Sequence, residues 1–165
     1  MSALPHSERH RFNAAAGWLE LGDMVEALSE LRKIPPPYKS HPSVLDLHWQ
    51  ILARRKDWIA ATEVAQHLVE SAPDNQTGWI HRSYALHELR RTQEARDLLL
   101  PGIDKFPEVV LIPYNLACYA CQMKDMEQAK SWLKRAVDIQ DRETVRRMAE
   151  EDPDLAPLRK FVRTL

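Results

Sequence analysis

Four alanines, Ala27, Ala61, Ala95 and Ala129, stand 34 residues apart along this chain of 165 residues. A repeat of that length means that one supersecondary unit recurs and buries its apolar face against its neighbours. Other columns keep the same step. Four residues before each alanine come Asp23, Asp57, Arg91 and Asp125; four after come Leu31, Ala65, Leu99 and Leu133. Seven after come Ile34, Leu68, Gly102 and Ala136, and Pro73 and Pro107 close two of the units. Within a unit the apolar spacing is that of two helices joined by a short turn: Leu45, Trp49 and Leu52 mark one stripe, Ala61, Ala65 and Leu68 the other. The polar run Arg54-Arg55-Lys56-Asp57 lies between them, with Asp57 placed to cap the second helix. Alanine suits a point where two helix axes cross closely, because a larger side chain would hold them apart. Leu and Ala number 38 against 21 for Val, Ile and Thr, a balance that favours helix over sheet.

Period, alanine column and closing prolines together resemble the tetratricopeptide repeat (TPR), a helix–turn–helix unit. The third unit carries the resemblance furthest, with Trp79, Arg82-Ser83, Leu86, Ala95, Leu99 and Pro107 on the signature columns; Arg82, Ser83 and Leu86 replace the usual Leu, Gly and Tyr. The fourth unit keeps Leu116-Ala117 but has Pro113 where an aromatic is usual, which requires its first helix to start at about Leu111 or Ile112. The resemblance implies an all-α fold: a right-handed superhelical solenoid of antiparallel helix pairs in a single domain over 1–165. The repeats are expected at about 8–41, 42–75, 76–109 and 110–140, with a C-terminal cap over 141–165 that covers the open apolar end of the stack. Within the cap, Asp152-Pro153-Asp154-Leu155 is expected to restart a helix. The stretch from Asp152 to Arg159 looks like the tail of many bacterial TPR proteins, which implies a bacterial origin. Two places depart from the pattern. Ile34-Pro35-Pro36-Pro37-Tyr38 predicts an extended linker up to Pro42, and Pro101-Gly102 predicts a kink or an end near Leu100.

Charge narrows the classes of function. The 23 basic and 24 acidic residues nearly cancel, and each quarter of the chain balances to within one charge. The long-range attraction that drives nucleic-acid or anionic-membrane binding is therefore missing, and neither partner is expected. The longest uncharged run lies between Glu108 and Lys124 and is short of the roughly 20 residues of a membrane span. Met1 to Arg11 has no apolar stretch or small-residue cleavage site, so the expectation is a soluble, cytoplasmic protein. The four glycines are too dispersed to form a phosphate-cradling loop.

The residues that could carry chemistry are few. Cys118-x-x-Cys121 has redox spacing, but it falls mid-helix, away from the helix N-terminus that lowers a thiol's pKa, and an i,i+3 disulfide there would be strained. His87, one repeat earlier at the position of Cys121, would supply only a third zinc ligand where four are wanted. No metal, cofactor or catalytic residue is therefore expected. The resemblance implies instead that the first helix of each pair lines a concave groove that binds another protein as a peptide or helix. Carried across column by column, the groove positions are Arg9, Phe12 and Ala16, then Asp46, Gln50 and Arg54. Thr77, His81, Tyr84, His87 and Glu88 follow, and Tyr114, Asn115, Cys118, Cys121 and Gln122 complete the wall. Phe12, Gln50, Arg54, His81, Tyr84, His87, Tyr114, Asn115, Cys118, Cys121 and Gln122 are the candidate contacts. The clamp by which chaperone-binding TPR domains hold an acidic C-terminus is not reproduced on these columns. The expected function is a protein–protein interaction scaffold, monomeric and non-enzymatic. A dedicated chaperone for a secreted or assembled substrate is the alternative, and a cysteine- or metal-dependent enzyme the remote one.

Overall fold

The computed structural model describes residues 4–165, and among them every regular element is helical. In chain order these are α1 (His6–Glu20), α2 (Met24–Arg32), α3 (Pro36–Lys39), α4 (Pro42–Arg54), α5 (Trp58–Ser71) and α6 (Gln76–Glu88). Then come α7 (Thr92–Leu99), α8 (Gly102–Lys105), α9 (Leu111–Gln122), α10 (Met126–Ile139) and α11 (Arg142–Glu151). A 3-10 segment, Pro153–Leu158, leads into α12 (Arg159–Val162). The chain divides into two compact units, one running to Ala85 and the other spanning Leu86–Leu165, so the division falls within α6.

In the first unit α1 packs on α2, α4 on α5, and α2 against α4. Helix α4 serves two apolar clusters from different sides. Val44, Leu47 and Ile51 join Ala15, Leu19, Ala27 and Leu31, whereas Leu45, Trp49 and Leu52 join Ala61, Ala65, Leu68 and Ala85. Gly78 sets how closely α6 approaches α5, since a Cβ there would lie 2.8 Å from the Val69 backbone nitrogen. In the second unit α9 pairs with α10 and also receives α7 and α8. Helix α11 packs on α10, the 3-10 segment on α9, and α12 on both α11 and the 3-10 segment.

The repeat columns have physical counterparts. All four alanines of the 34-residue column are 0 % exposed. Asp23, Asp57 and Asp125 each accept hydrogen bonds from backbone N–H groups in the first turn of the following helix. Arg91, the exception in sequence, has no side-chain cap. One residue before each of these positions the backbone is left-handed: Gly22 at φ 81°, Lys56 at 57°, Arg90 at 63° and Lys124 at 67°. A tight reversal between closely packed antiparallel helices needs that conformation, which only glycine takes without cost.

The proline run behaves differently from expectation. Pro35 is extended, at φ −60° and ψ 150°, as is His41 at the far end, but Pro36–Lys39 between them is a one-turn helix. Proline fits a first helical turn, where its missing N–H would have no partner, and the Tyr38 N–H closes the turn on the Pro35 carbonyl. The other two prolines act as expected. Helix α7 stops at Leu99 before Pro101-Gly102, and α9 begins at Leu111, placing Pro113 in its first turn.

Two substitutions probe this frame by thermal and urea denaturation. Ala95→Arg, which places a long cation at a fully buried position, is expected to cost at least about 3 kcal/mol. Gly22→Ala meets no neighbouring atom, so it should cost only the left-handed conformational term, about 1 kcal/mol.

Candidate partner-binding site

In the first unit the candidate residues form an aromatic and polar face on α4 and α6. The ring of Trp49 stacks on that of His81 with centroids 3.6 Å apart and planes 5° from parallel. Tyr84 meets Trp49 and Trp58 edge-on at 6.2 and 5.7 Å, and remains 39 % exposed. The ring nitrogen Nε2 of His81 donates to Oδ1 of Asp46 at 2.8 Å, and Gln50 Nε2 donates to its Oδ2 at 3.1 Å. A carboxylate can only accept, so the pairing fixes which histidine nitrogen carries the proton. Thus Gln50, His81 and Tyr84 belong to one arrangement, held by Trp49, Trp58 and Asp46. Two other candidates serve the scaffold. Phe12 packs against the core of α1, α2 and α4, and the Arg54 guanidinium donates to the Leu19 carbonyl, tying α4 to the end of α1.

In the second unit the chain's own C-terminal segment lies on the corresponding face of α9. The Tyr114 hydroxyl donates to Asp152 Oδ2 at 3.0 Å, and the Cys118 thiol points at the same oxygen from 3.5 Å. Gln122 Nε2 donates to the Asp154 carbonyl at 3.0 Å. His87 Nε2 donates to Asp154 Oδ2 at 2.9 Å, while its Nδ1 is 2.9 Å from the Thr92 hydroxyl. As a result Tyr114, Cys118 and His87 are each 5 % exposed and Cys121 2 %. Asn115 is half-buried, and Gln122 is exposed even while bonded to the tail. The aspartates that organise this face, Asp152 and Asp154, were not among the sequence candidates.

The electrostatics follow from that covering. Burial pushes the Cys118 thiol well above the usual thiol range, and the Asp152 carboxylate beside it adds to the shift. Cys121 is raised as well, by burial first and then by the charges of Asp154 and Asp152. Tyr114 is raised too, again chiefly by burial. These are conditions that keep a thiol protonated, the reverse of those that activate one. Both cysteines are free, and among the described residues no three histidine, cysteine or acidic side chains are placed to hold a metal ion.

Solved structures share this helical arrangement along nearly the whole chain. A MamA fragment from Desulfovibrio magneticus RS-1 superposes with a TM-score of 0.76 at 18 % identity, covering 98 % of this chain and 94 % of its own. A thermophilic TPR protein of Thermus thermophilus does so with a TM-score of 0.70 at 15 % identity, covering 95 % of each. The fold is that of the tetratricopeptide-repeat proteins. Pseudomonas aeruginosa pilF is also similar, with a TM-score of 0.74 at 21 % identity, over 95 % of this chain and 72 % of that one. No protein-family model matches the sequence, and no curated protein does. Among the described residues no helix of this TPR fold is long and apolar enough to cross a membrane.

Removing the tail's acceptor tests the covered face. Asp152→Ala leaves the buried Tyr114 hydroxyl unpaired, so the second unit should lose about 1–3 kcal/mol and Cys118 should alkylate faster with iodoacetamide. The raised thiol and phenol also set a pH dependence. Their neutral forms are favoured in the folded state, so that stabilisation is complete below their unfolded pKa values, about 8.5 and 10, and is lost as pH rises beyond them. Thermal melts between pH 8 and 11 should show this loss in the wild type, and a flatter profile in Tyr114→Phe/Cys118→Ala.

Proposed function

We propose that this protein is a protein–protein interaction scaffold that receives a partner peptide or helix on the α4–α6 face of the first unit. The exposed ring of Tyr84, fixed edge-on by Trp49 and Trp58, is the observation that carries the reading. A tyrosine already held by neighbours offers a large apolar area and a polar tip, and loses little side-chain entropy on binding. Beside it the Asp46–His81–Gln50 group supplies donors and acceptors that can fix the register of a partner's backbone. The TPR fold supports the same class of function, through analogy of architecture. The α9 face contributes less in this reading, since Tyr114, Cys118 and Cys121 already have the chain's own tail as neighbour. Arg54 and Phe12 act by holding the wall in place.

Tagged wild-type protein and Tyr84→Ala/Gln50→Ala are compared for proteins retained from lysate of the source organism, after both are shown to melt alike. A protein retained by the wild type and reduced at least tenfold by the variant is the expected result. Equal retention by both would move binding off this face, and retention by neither would remove the scaffold reading.

A further inference from the structure

The proline run at the end of the first pair has a consequence that the interaction face does not use. By folding into α3, it stands Lys39 beside the gap between α2 and α4 and leaves a pocket of about 220 Å³. Leu28 and Leu31 of α2 and Val44 of α4 form an apolar floor, all three being core side chains. Three basic groups surround it, one from each helix: Arg32 of α2, Lys39 of α3 and His48 of α4. Among the described residues no carboxylate pairs with any of the three; the nearby Glu30 is committed to Arg11 and Lys33. His48 has its pKa lowered, first by burial and then by the positive charges of Arg32 and Lys39. Basic groups gathered around apolar carbon with no carboxylate paired to them leave a net positive potential at its rim, which favours an anion. The cavity is smaller than the roughly 300–1,000 Å³ of sites for drug-sized ligands, so it suits one short aliphatic group.

The geometry points to a binding site for an aliphatic carboxylate: a short branched apolar group on the Leu28–Leu31–Val44 floor, its carboxylate between Arg32, Lys39 and His48. Two sources share that chemistry, a free short-chain acid and the C-terminal residue of a polypeptide. The site uses Val44 and His48, about half a turn round α4 from Asp46 and Gln50, so it stands or falls independently of the interaction face.

The test is titration of the full-length, isotopically labelled protein by NMR with N-acetyl-leucine and, in parallel, N-acetyl-leucinamide. The acid should bind saturably, with a dissociation constant on the order of 1 mM. Its shift changes should centre on α2, α3 and the first half of α4. The amide should bind at least tenfold more weakly, and Arg32→Gln/Lys39→Gln, at two exposed positions, should weaken the acid at least tenfold while melting like the wild type. Bound acid should raise the His48 titration midpoint, since a neighbouring anion favours the imidazolium. Equal binding of acid and amide, shift changes centred elsewhere, or no saturation by tens of millimolar would each overturn the site. 4-Methylpentanoate and a tetrapeptide ending in leucine then separate the sources. A peptide that binds tenfold tighter assigns the site to a chain terminus, and equal affinities assign it to a free acid.

Discussion

The close crossing of paired helices at a methyl group is the constraint from which the rest follows. Ala27, Ala61, Ala95 and Ala129 bury little area themselves; their importance lies in what their small size permits. With the axes close, Leu31, Ala65, Leu99 and Leu133 one turn on are also sealed from water. The connection between the helices must then be short, which forces one residue into the left-handed region and brings the next to the start of the second helix. An aspartate there satisfies amides that would otherwise lack partners. Packing, turn and cap are thus linked consequences of one crossing distance, and this is why several columns share one period.

That linkage decides what was legible in the sequence. The alanine and aspartate columns were visible because a single residue type serves each purpose. The left-handed column was not: glycine fills it only at Gly22, while Lys56, Arg90 and Lys124 accept the strain because the packed helices impose it. The proline run departs from the extended linker that its sequence predicts, since the sequence shows that Pro36 and Pro37 lack amide hydrogens but not that a first turn has no use for them. Least legible was the placement of Asp152 and Asp154. The candidates on α9 came from positions within a repeat, and nothing in a 34-residue pattern says where a non-repeating tail will lie.

The tail explains the cysteines better than their spacing does. Asp152 is held by a phenol, a thiol and the Asp154 backbone N–H, all neutral donors. In return the carboxylate raises the Cys118 thiol further above its usual range, in the direction burial has already set. On this helix the spacing that suggests redox chemistry therefore lies among conditions, burial and neighbouring carboxylates, that disfavour the thiolate. The first unit solves a related problem with its own wall: the carboxylate facing His81 is Asp46 of α4, whereas the one facing His87 is Asp154 of the tail. One face is organised by a neighbouring repeat helix and the other by a segment outside the repeats.

The three basic groups around α3 raise the question of why the fold tolerates them together. Arg32 lies in the last turn of α2, where the partial negative charge of unpaired carbonyls stabilises a cation. Exposure also gives Arg32 and Lys39 water in place of a carboxylate partner. His48 lies deeper, and its pKa is lowered first by burial and then by the charges of Arg32 and Lys39. The arrangement is stable as it stands, at the cost of an imidazole that protonates reluctantly. An anion entering the pocket would offset the part of that shift that comes from Arg32 and Lys39. The pocket therefore combines an apolar floor that favours a hydrocarbon group with an electrostatic imbalance that favours a negative one, and an aliphatic carboxylate answers both.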